Sequence, residues 1–498
     1  MKRTTFLLIL CLTGSAAILG QNRTFPADTM IITNHTVTIN GTKISYSAIN
    51  GMQPVWDEKG KPVASLHYTY YKRTGTTDLS VRPLLISFNG GPGSASVWMQ
   101  IGYTGPVALN IDPEGYPVQP YGIHENPYSV LDVTDIVYVN PVNTGYSRMI
   151  PEGEGTEKNK LFFGVNADIS YLAEWLNTFV TRHERWLSPK YIIGESYGGI
   201  RVSGLAHRLQ ENQWMYLNGV ILVSPAHLNV MFSDQPLSSV VNLPYFTATA
   251  WYHKVLPVEL QQKDLSEILP EAEEFAIKEL LPALARGGFI EDKEKQKIAE
   301  KISYYSGIPV KTVLQLNLDI PTGFFWKELL RDKNGKSIGR LDSRYLGVDK
   351  TEEGSSPDYN AEMSAWLDAF TPAINHYMRE HLMFRTDLKY YMFGPTQPWS
   401  WDTGNNDIRE NLRQAMASNP RLRIMFQTGY YDGATTYFNS KYMMWQIDPG
   451  GKLKDRLTFR GYRSGHMMYL RKEDIKSAND DLRSFIKEGL PDGKPAKY

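Results

Sequence analysis

Two kinds of hydrophobic patterning run along the chain, and the change between them outlines a fold. Early on, residues 35–48 and 64–72 interleave apolar positions with Thr, Tyr and Ser. That alternation predicts antiparallel strands, joined by turn residues such as Asn50-Gly51 and Lys59-Gly60. Residues 83–88, 135–139, 191–193 and 219–223 are different: each is a short apolar run without alternation. They end at Asn89-Gly90-Gly91-Pro92-Gly93, Asn140-Pro141, Gly194 and Ser224-Pro225. Such runs predict strands buried on both faces. Helical spacing fills the gap before the third run, with Ile169, Leu172, Ala173, Leu176, Phe179 and Val180 on one face of a helix over 166–186. Another helix is predicted over 197–210. Strands alternating with helices imply a mostly parallel sheet covered on both faces.

From 231 to 388 the pattern becomes helical and charged, most clearly over 265–285 and 291–305. A strand returns at 421–427, followed by a helix at 435–446, a strand at 456–459 and a helix at 480–487. The economical expectation is one α/β core made of residues 21–230 and 389–498, with a largely helical cap inserted at 231–388. The length of 498 residues suits one large domain with an insertion, or two to three domains.

Charge narrows the function. With 53 basic and 53 acidic residues, nothing electrostatic favours nucleic acid or an anionic membrane as partner. Lys2 and Arg3 precede a short apolar stretch, which reads as a signal peptide over 1–20 and predicts a secreted or periplasmic protein. No later run is long enough to predict a transmembrane segment. Cys11, the single cysteine, falls inside that leader, so the mature chain has no disulfide and its stability rests on burial. An exported chain without cysteine fits a bacterial source. Oligomeric state leaves no mark on the sequence.

The chemistry is concentrated in Gly194-Glu195-Ser196-Tyr197-Gly198, a G-x-S-x-G motif between a predicted buried strand and a predicted helix. In that setting a sharp turn lifts the Ser hydroxyl above the sheet edge, as in the α/β-hydrolase fold. The helix start also offers backbone N–H groups where an oxyanion would form. That fold orders its triad as Ser, acid, His. Asp432 follows the 421–427 strand, and His466, the last histidine of the chain, follows the 456–459 strand. Ser196 as nucleophile, His466 as base and Asp432 as its orienting carboxylate satisfy both order and position. Tyr197 and the glycine-rich turn at 89–93 are placed to supply oxyanion donors. The triad needs no cofactor, and neither a His-x-x-x-His motif nor a Cys cluster suggests a metal.

Taken together, Asn89-Gly90-Gly91-Pro92-Gly93-Ser94, Gly105-Pro106, Asn126-Pro127-Tyr128-Ser129, Asn143-Thr144-Gly145-Tyr146-Ser147, the Ser196 elbow and Gly465-His466-Met467 resemble the serine carboxypeptidase family. The resemblance covers about 83–223 and 421–490 and leaves the insertion unmatched. It implies Gly91 and Tyr197 as oxyanion donors, and Asn89, Gly90 and Glu195 as the holders of a peptide's terminal carboxylate. Glu195 can hold a carboxylate only while one of the two carries a proton, because two adjacent carboxylates do not both ionise cheaply.

The chain departs from the family pattern at Ser87, Ser94, Tyr103, Arg201 and Ser203. Tyr103 stands where family members often carry a second Glu that pairs with the first, which bears on the pH range and the strictness of carboxypeptidase action. Three functions are compatible with these residues: a carboxypeptidase acting on peptides with a free C-terminus; another esterase, amidase or acyltransferase using the same triad; and a non-catalytic binding protein on the same fold.

Overall fold

The structure is a computed structural model that describes residues 27–150, 159–228 and 236–496. The predicted leader at 1–20 and the junction at 230/231 lie outside those residues. The short apolar runs assemble into one ten-stranded sheet. Its main strands are β1 (Thr29–Ile39), β2 (Thr42–Trp56), β3 (Pro62–Arg73), β4 (Leu84–Phe88), β5 (Asp135–Val139), β6 (Lys190–Glu195), β7 (Gly219–Val223), β8 (Arg423–Gly429) and β9 (Leu457–Tyr462). They lie in the order β1-β2-β3-β5-β4-β6-β7-β8-β9, and a short strand at Arg148–Met149 pairs with β3. β1 to β3 pair antiparallel, and β3 joins β5 antiparallel. From β5 to β9 every pairing is parallel. A mostly parallel sheet was the expectation, and it holds.

Alternate residues of the buried strands serve two cores, one on each face. Leu85, Ile193, Ile221 and Met425 join one apolar cluster. Leu84, Ile86, Ile192, Val220, Leu222 and Phe426 join the other. Helices Val165–Arg182, Tyr197–Gln213 and Ile408–Ser418 cover the second face, and Ala361–His376 and Lys472–Glu488 the first.

One expected turn is a strand interior instead. Asn50-Gly51 lies within β2, opposite Thr69 and Tyr68 of β3, and the hairpin turns earlier, at Asn40-Gly41. Gly51 is there for space: a Cβ would come within 2.7 Å of the Tyr68 ring. Asn50 is buried, and its Oδ1 accepts a hydrogen bond from Thr69 Oγ1 at 3.1 Å. Residue type alone does not separate a glycine that makes room from one that makes a turn.

Residues 236–388 divide between two packing environments. Helices Leu237–Tyr252, Leu265–Phe275 and Asp292–Ser306 form a third apolar cluster, in which Phe246 stacks on Phe325 and which Tyr431 and Phe438 of the core also join. Helix Ala361–His376 packs instead on the sheet, placing Trp366, Phe370 and Ile374 with Trp98 and Ile101. Among the described residues, no helix is long and apolar enough to cross a membrane.

Candidate active site

β6 ends at Glu195 and a helix begins at Tyr197, leaving Ser196 as the single residue of the bend. Its backbone sits at φ 60°, ψ −125°, a conformation that side-chain-bearing residues adopt only at a cost. Three hydrogen bonds hold it there: Ser196 N–H donates to Val223 O at 3.0 Å, and Ser196 O accepts from Gly199 N at 2.8 Å and Ala226 N at 3.0 Å. The bend also needs Gly194, where a Cβ would lie 2.2 Å from Gly198 O. Ser196 therefore stands at the C-terminal edge of the sheet, lining a cavity of about 380 Å³ together with Gly90, Gly91, Glu195, Tyr197 and His466.

His466 and Asp432 arrive on the loops after β9 and β8. His466 Nδ1 lies 2.7 Å from Asp432 Oδ2. Asp432 is buried, and its Oδ1 accepts from the backbone of Ala434 at 2.8 Å and of Thr435 at 3.1 Å. Thr435 Oγ1 donates to Asp432 Oδ2 at 2.6 Å, a partner that sequence reasoning missed although it lies three residues from the carboxylate. Burial disfavours the imidazolium, but the charge and hydrogen bond of Asp432, together with the nearby Glu195, hold the His466 pKa above its usual value. Ser196 and His466 share the cavity, yet among the described residues no hydrogen bond joins Ser196 Oγ to His466. In substrate-free serine hydrolases that contact is often loose and tightens on binding.

Gly91 lines the same cavity at φ +105°, where an L side chain would be strained, and a Cβ would come within 2.5 Å of Gly93 N and Ser94 N. Neither the Gly91 nor the Tyr197 backbone N–H donates to another backbone group among the described residues. Both are available to an oxyanion.

Glu195 is buried beside Ser196, with both oxygens held. Asn89 Nδ2 donates to Oε1 at 2.9 Å, and Tyr469 O–H donates to Oε2 at 2.5 Å. Burial, partly offset by His466 and these two hydrogen bonds, raises its pKa from 4.5 to about 7. Asn89 is fully buried, and its Oδ1 accepts from Met99 N at 3.1 Å, so it acts behind the cavity wall, whereas Gly90 and Glu195 line the cavity itself.

Two departures noted in the sequence now have a place. Tyr103 is buried behind Glu195's partner, its ring stacked on Tyr469 with centroids 4.9 Å apart and planes within 5°, and its hydroxyl donates to Gln427 Oε1 at 2.7 Å. Tyr469, three residues after His466, is the residue that reaches Glu195, and its place in the chain was the available signal. Arg201 does not line the cavity. It pairs with buried Asp168 at 2.7 Å and donates to Asn89 O at 2.6 Å and Pro92 O at 3.3 Å, bracing the glycine-rich turn from behind. Asp168 carried no sequence signal, since an acidic residue in a helix is ordinarily exposed.

The outer wall of the cavity comes from farther along the chain: Arg340, Leu341, Met363, Trp366, Phe393 and Trp401. Leu341 O accepts the His466 backbone N–H at 2.6 Å, so this wall also touches the His466 loop.

Residues 51–286 match the family model Peptidase_S10, described as serine carboxypeptidase. Curated relatives include serine carboxypeptidase-like 8 of Arabidopsis thaliana, 26% identical over 30% of this chain and 33% of that one. Serine carboxypeptidase-like 21 of the same plant is 32% identical over 28% of this chain and 26% of its own length. The chain thus matches about a third or less of the length of each of these two relatives. Among solved structures, Kex1(delta)p, a prohormone-processing carboxypeptidase from Saccharomyces cerevisiae, aligns over 89% of this chain and 92% of its own. Its TM-score is 0.55 at 15% identity, a likeness of fold.

Proposed function

We propose that the chain works as a member of the serine carboxypeptidase family, releasing C-terminal amino acids through an acyl-enzyme on Ser196. The observation that carries this reading is Glu195: a buried carboxyl next to the nucleophile, facing the cavity and held by Asn89 and Tyr469. A general esterase has no need of a carboxyl poised between its two protonation states at that point.

In this mechanism His466 takes the Ser196 proton as the hydroxyl attacks the scissile carbonyl. Asp432 fixes the imidazole by its 2.7 Å contact and stabilises the imidazolium. The Gly91 and Tyr197 N–H groups receive the oxyanion. His466 then protonates the departing amine, and water repeats the sequence to free the acyl group. Protonated Glu195 donates to the leaving residue's carboxylate, with Gly90 lining that subsite. Below a pH of about 7 Glu195 is neutral and the carboxylate is welcome; above it, two negative charges face each other and binding weakens. The leader at 1–20 supports export, and confinement of the sole cysteine to that leader supports a bacterial source.

A second reading, hydrolysis of small esters or amides, draws support from the aromatic outer wall formed by Trp366, Phe393 and Trp401. Paired peptides that differ only in a free or amidated C-terminus separate the two readings. The proposed function predicts a large preference for the free acid, and equal cleavage of both would overturn it.

A further inference from the structure

The outer wall brings one cation to the cavity. Arg340 follows the short strand Ser337–Ile338 and lines the cavity with Ser196, Glu195 and His466. Its side chain is exposed and, among the described residues, closes no hydrogen bond or short ion pair, although its charge acts on the buried Glu362 carboxyl and on His466. Nearby arginines are committed elsewhere: Arg344 pairs with Asp342 at 2.6 Å, and Arg201 with Asp168.

The segment carrying Arg340 is anchored at both sides of the next residue. Leu341 N–H donates to Glu362 Oε1 at 2.8 Å, and Leu341 O accepts the His466 N–H at 2.6 Å. Glu362 is fully buried, and its neighbour Gly339 has no room for a side chain, since a Cβ would lie 2.4 Å from Glu362 Oε2. The backbone around Arg340 is thus held against the loop of the residue that protonates the leaving group. The guanidinium on this anchored segment is exposed, and its charge acts on the buried Glu362 carboxyl without closing a hydrogen bond or short ion pair among the described residues, so it is complementary to a negative group on the substrate.

We propose that Arg340 is a specificity-determining residue that favours substrates whose departing, C-terminal residue has an acidic side chain. The inference rests on the carboxypeptidase reading, which places the departing residue between Glu195 and His466. Its α-carboxylate faces Glu195, and its side-chain carboxylate extends toward the guanidinium. Aspartate and glutamate fit this arrangement, and their amides Asn and Gln offer the same shape without the charge.

The test measures kcat/KM for release of Glu against Gln, and of Asp against Asn, from peptides otherwise identical. A parallel series varies the penultimate residue in the same way. Wild type is expected to favour the acid at the departing position by about fivefold, the upper end for a solvent-exposed ion pair. R340Q is expected to bring the ratio close to one, and R340E to favour a departing Lys over Glu. Each ratio is taken within one preparation, so a loss of folded protein cancels. A wild-type ratio near one, a preference confined to the penultimate series, or a ratio unchanged in R340Q would overturn the proposal. Failure of the underlying reading has a separate signature: no C-terminal residue is released from any peptide, while aryl esters are still hydrolysed.

Discussion

The two walls of the cavity are built on different principles. The inner wall lies along the C-terminal edge of β4, β6, β8 and β9, with Ser196 at its strained bend, Gly91 in its turn and Glu195 facing the cavity, and buried, multiply bonded polar groups, Asp432 and the Arg201–Asp168 brace, stand behind it. The outer wall, from Arg340 to Trp401, is aromatic and apolar with one exposed cation. The first has the rigidity that bond-making chemistry demands, and the second has surface that can vary without disturbing it. On the proposed function, the inner wall sets the reaction and the demand for a free C-terminus, and the outer wall sets the choice among substrate side chains.

The sharpest break comes at the nucleophile. Ser196→Ala is expected to lower kcat at least about 10⁴-fold, with labelling by a fluorophosphonate lost, while the fold persists. Retained turnover would remove the inner wall from the chemistry altogether.

Next in size is the brace. Arg201→Met leaves Asp168 buried without its ion pair, for a loss of about 3–5 kcal/mol in urea unfolding. An Arg201→Met, Asp168→Leu double variant should recover most of that stability, because replacing a whole buried pair by apolar residues is often neutral. Its kcat should still be reduced, since Asn89 O and Pro92 O lose the donors that fix the oxyanion turn. Full kcat in the double variant would make the pair a stability element only.

Tyr469→Phe is a milder change. It removes one hydrogen bond to Glu195, a loss of about 1 kcal/mol in stability. Because that hydrogen bond favours the ionised carboxylate, its loss raises the Glu195 pKa further, and the fall of peptide cleavage with rising pH should move to higher pH. An unmoved profile would separate Glu195 from substrate binding.

The smallest effect belongs to the outer wall. Phe393→Ala, at a half-exposed aromatic lining the cavity, should raise KM about fivefold and leave kcat nearly unchanged, as expected for binding shared by ground and transition states. A fall in kcat of comparable size would blur the division between the walls.

The same division governs what the amino-acid sequence reveals. Buried strands announce themselves by runs without alternation, so β5 and β7 coincide with the apolar runs at 135–139 and 219–223. The nucleophile bend is legible because its glycines are required by contacts within a few residues, such as Gly194 against Gly198. Asp432 and His466 are legible through strand order, which places them at one edge. Groups that act across long separations leave no local trace. Asp168 meets Arg201 from another helix, Tyr103 supports Glu195 through Tyr469, and Arg340 reaches the cavity from residues whose helical spacing says nothing about which core they join. Asn50-Gly51 shows the converse, a local turn signal overruled by the Tyr68 ring packed over it from the next strand.

The central claim is that Ser196 performs the chemistry and Glu195 makes it specific for a free C-terminus. One pair of pH profiles on a single preparation tests both halves: kcat/KM for a peptide with a free C-terminus, and for an aryl ester with no carboxylate. Peptide cleavage should fall as the pH rises through about 7, where Glu195 loses its proton, while ester hydrolysis should not fall over the same range. A parallel decline of both substrates would contradict the account, because it would assign the titration to the shared triad and leave Glu195 without a part in choosing the substrate.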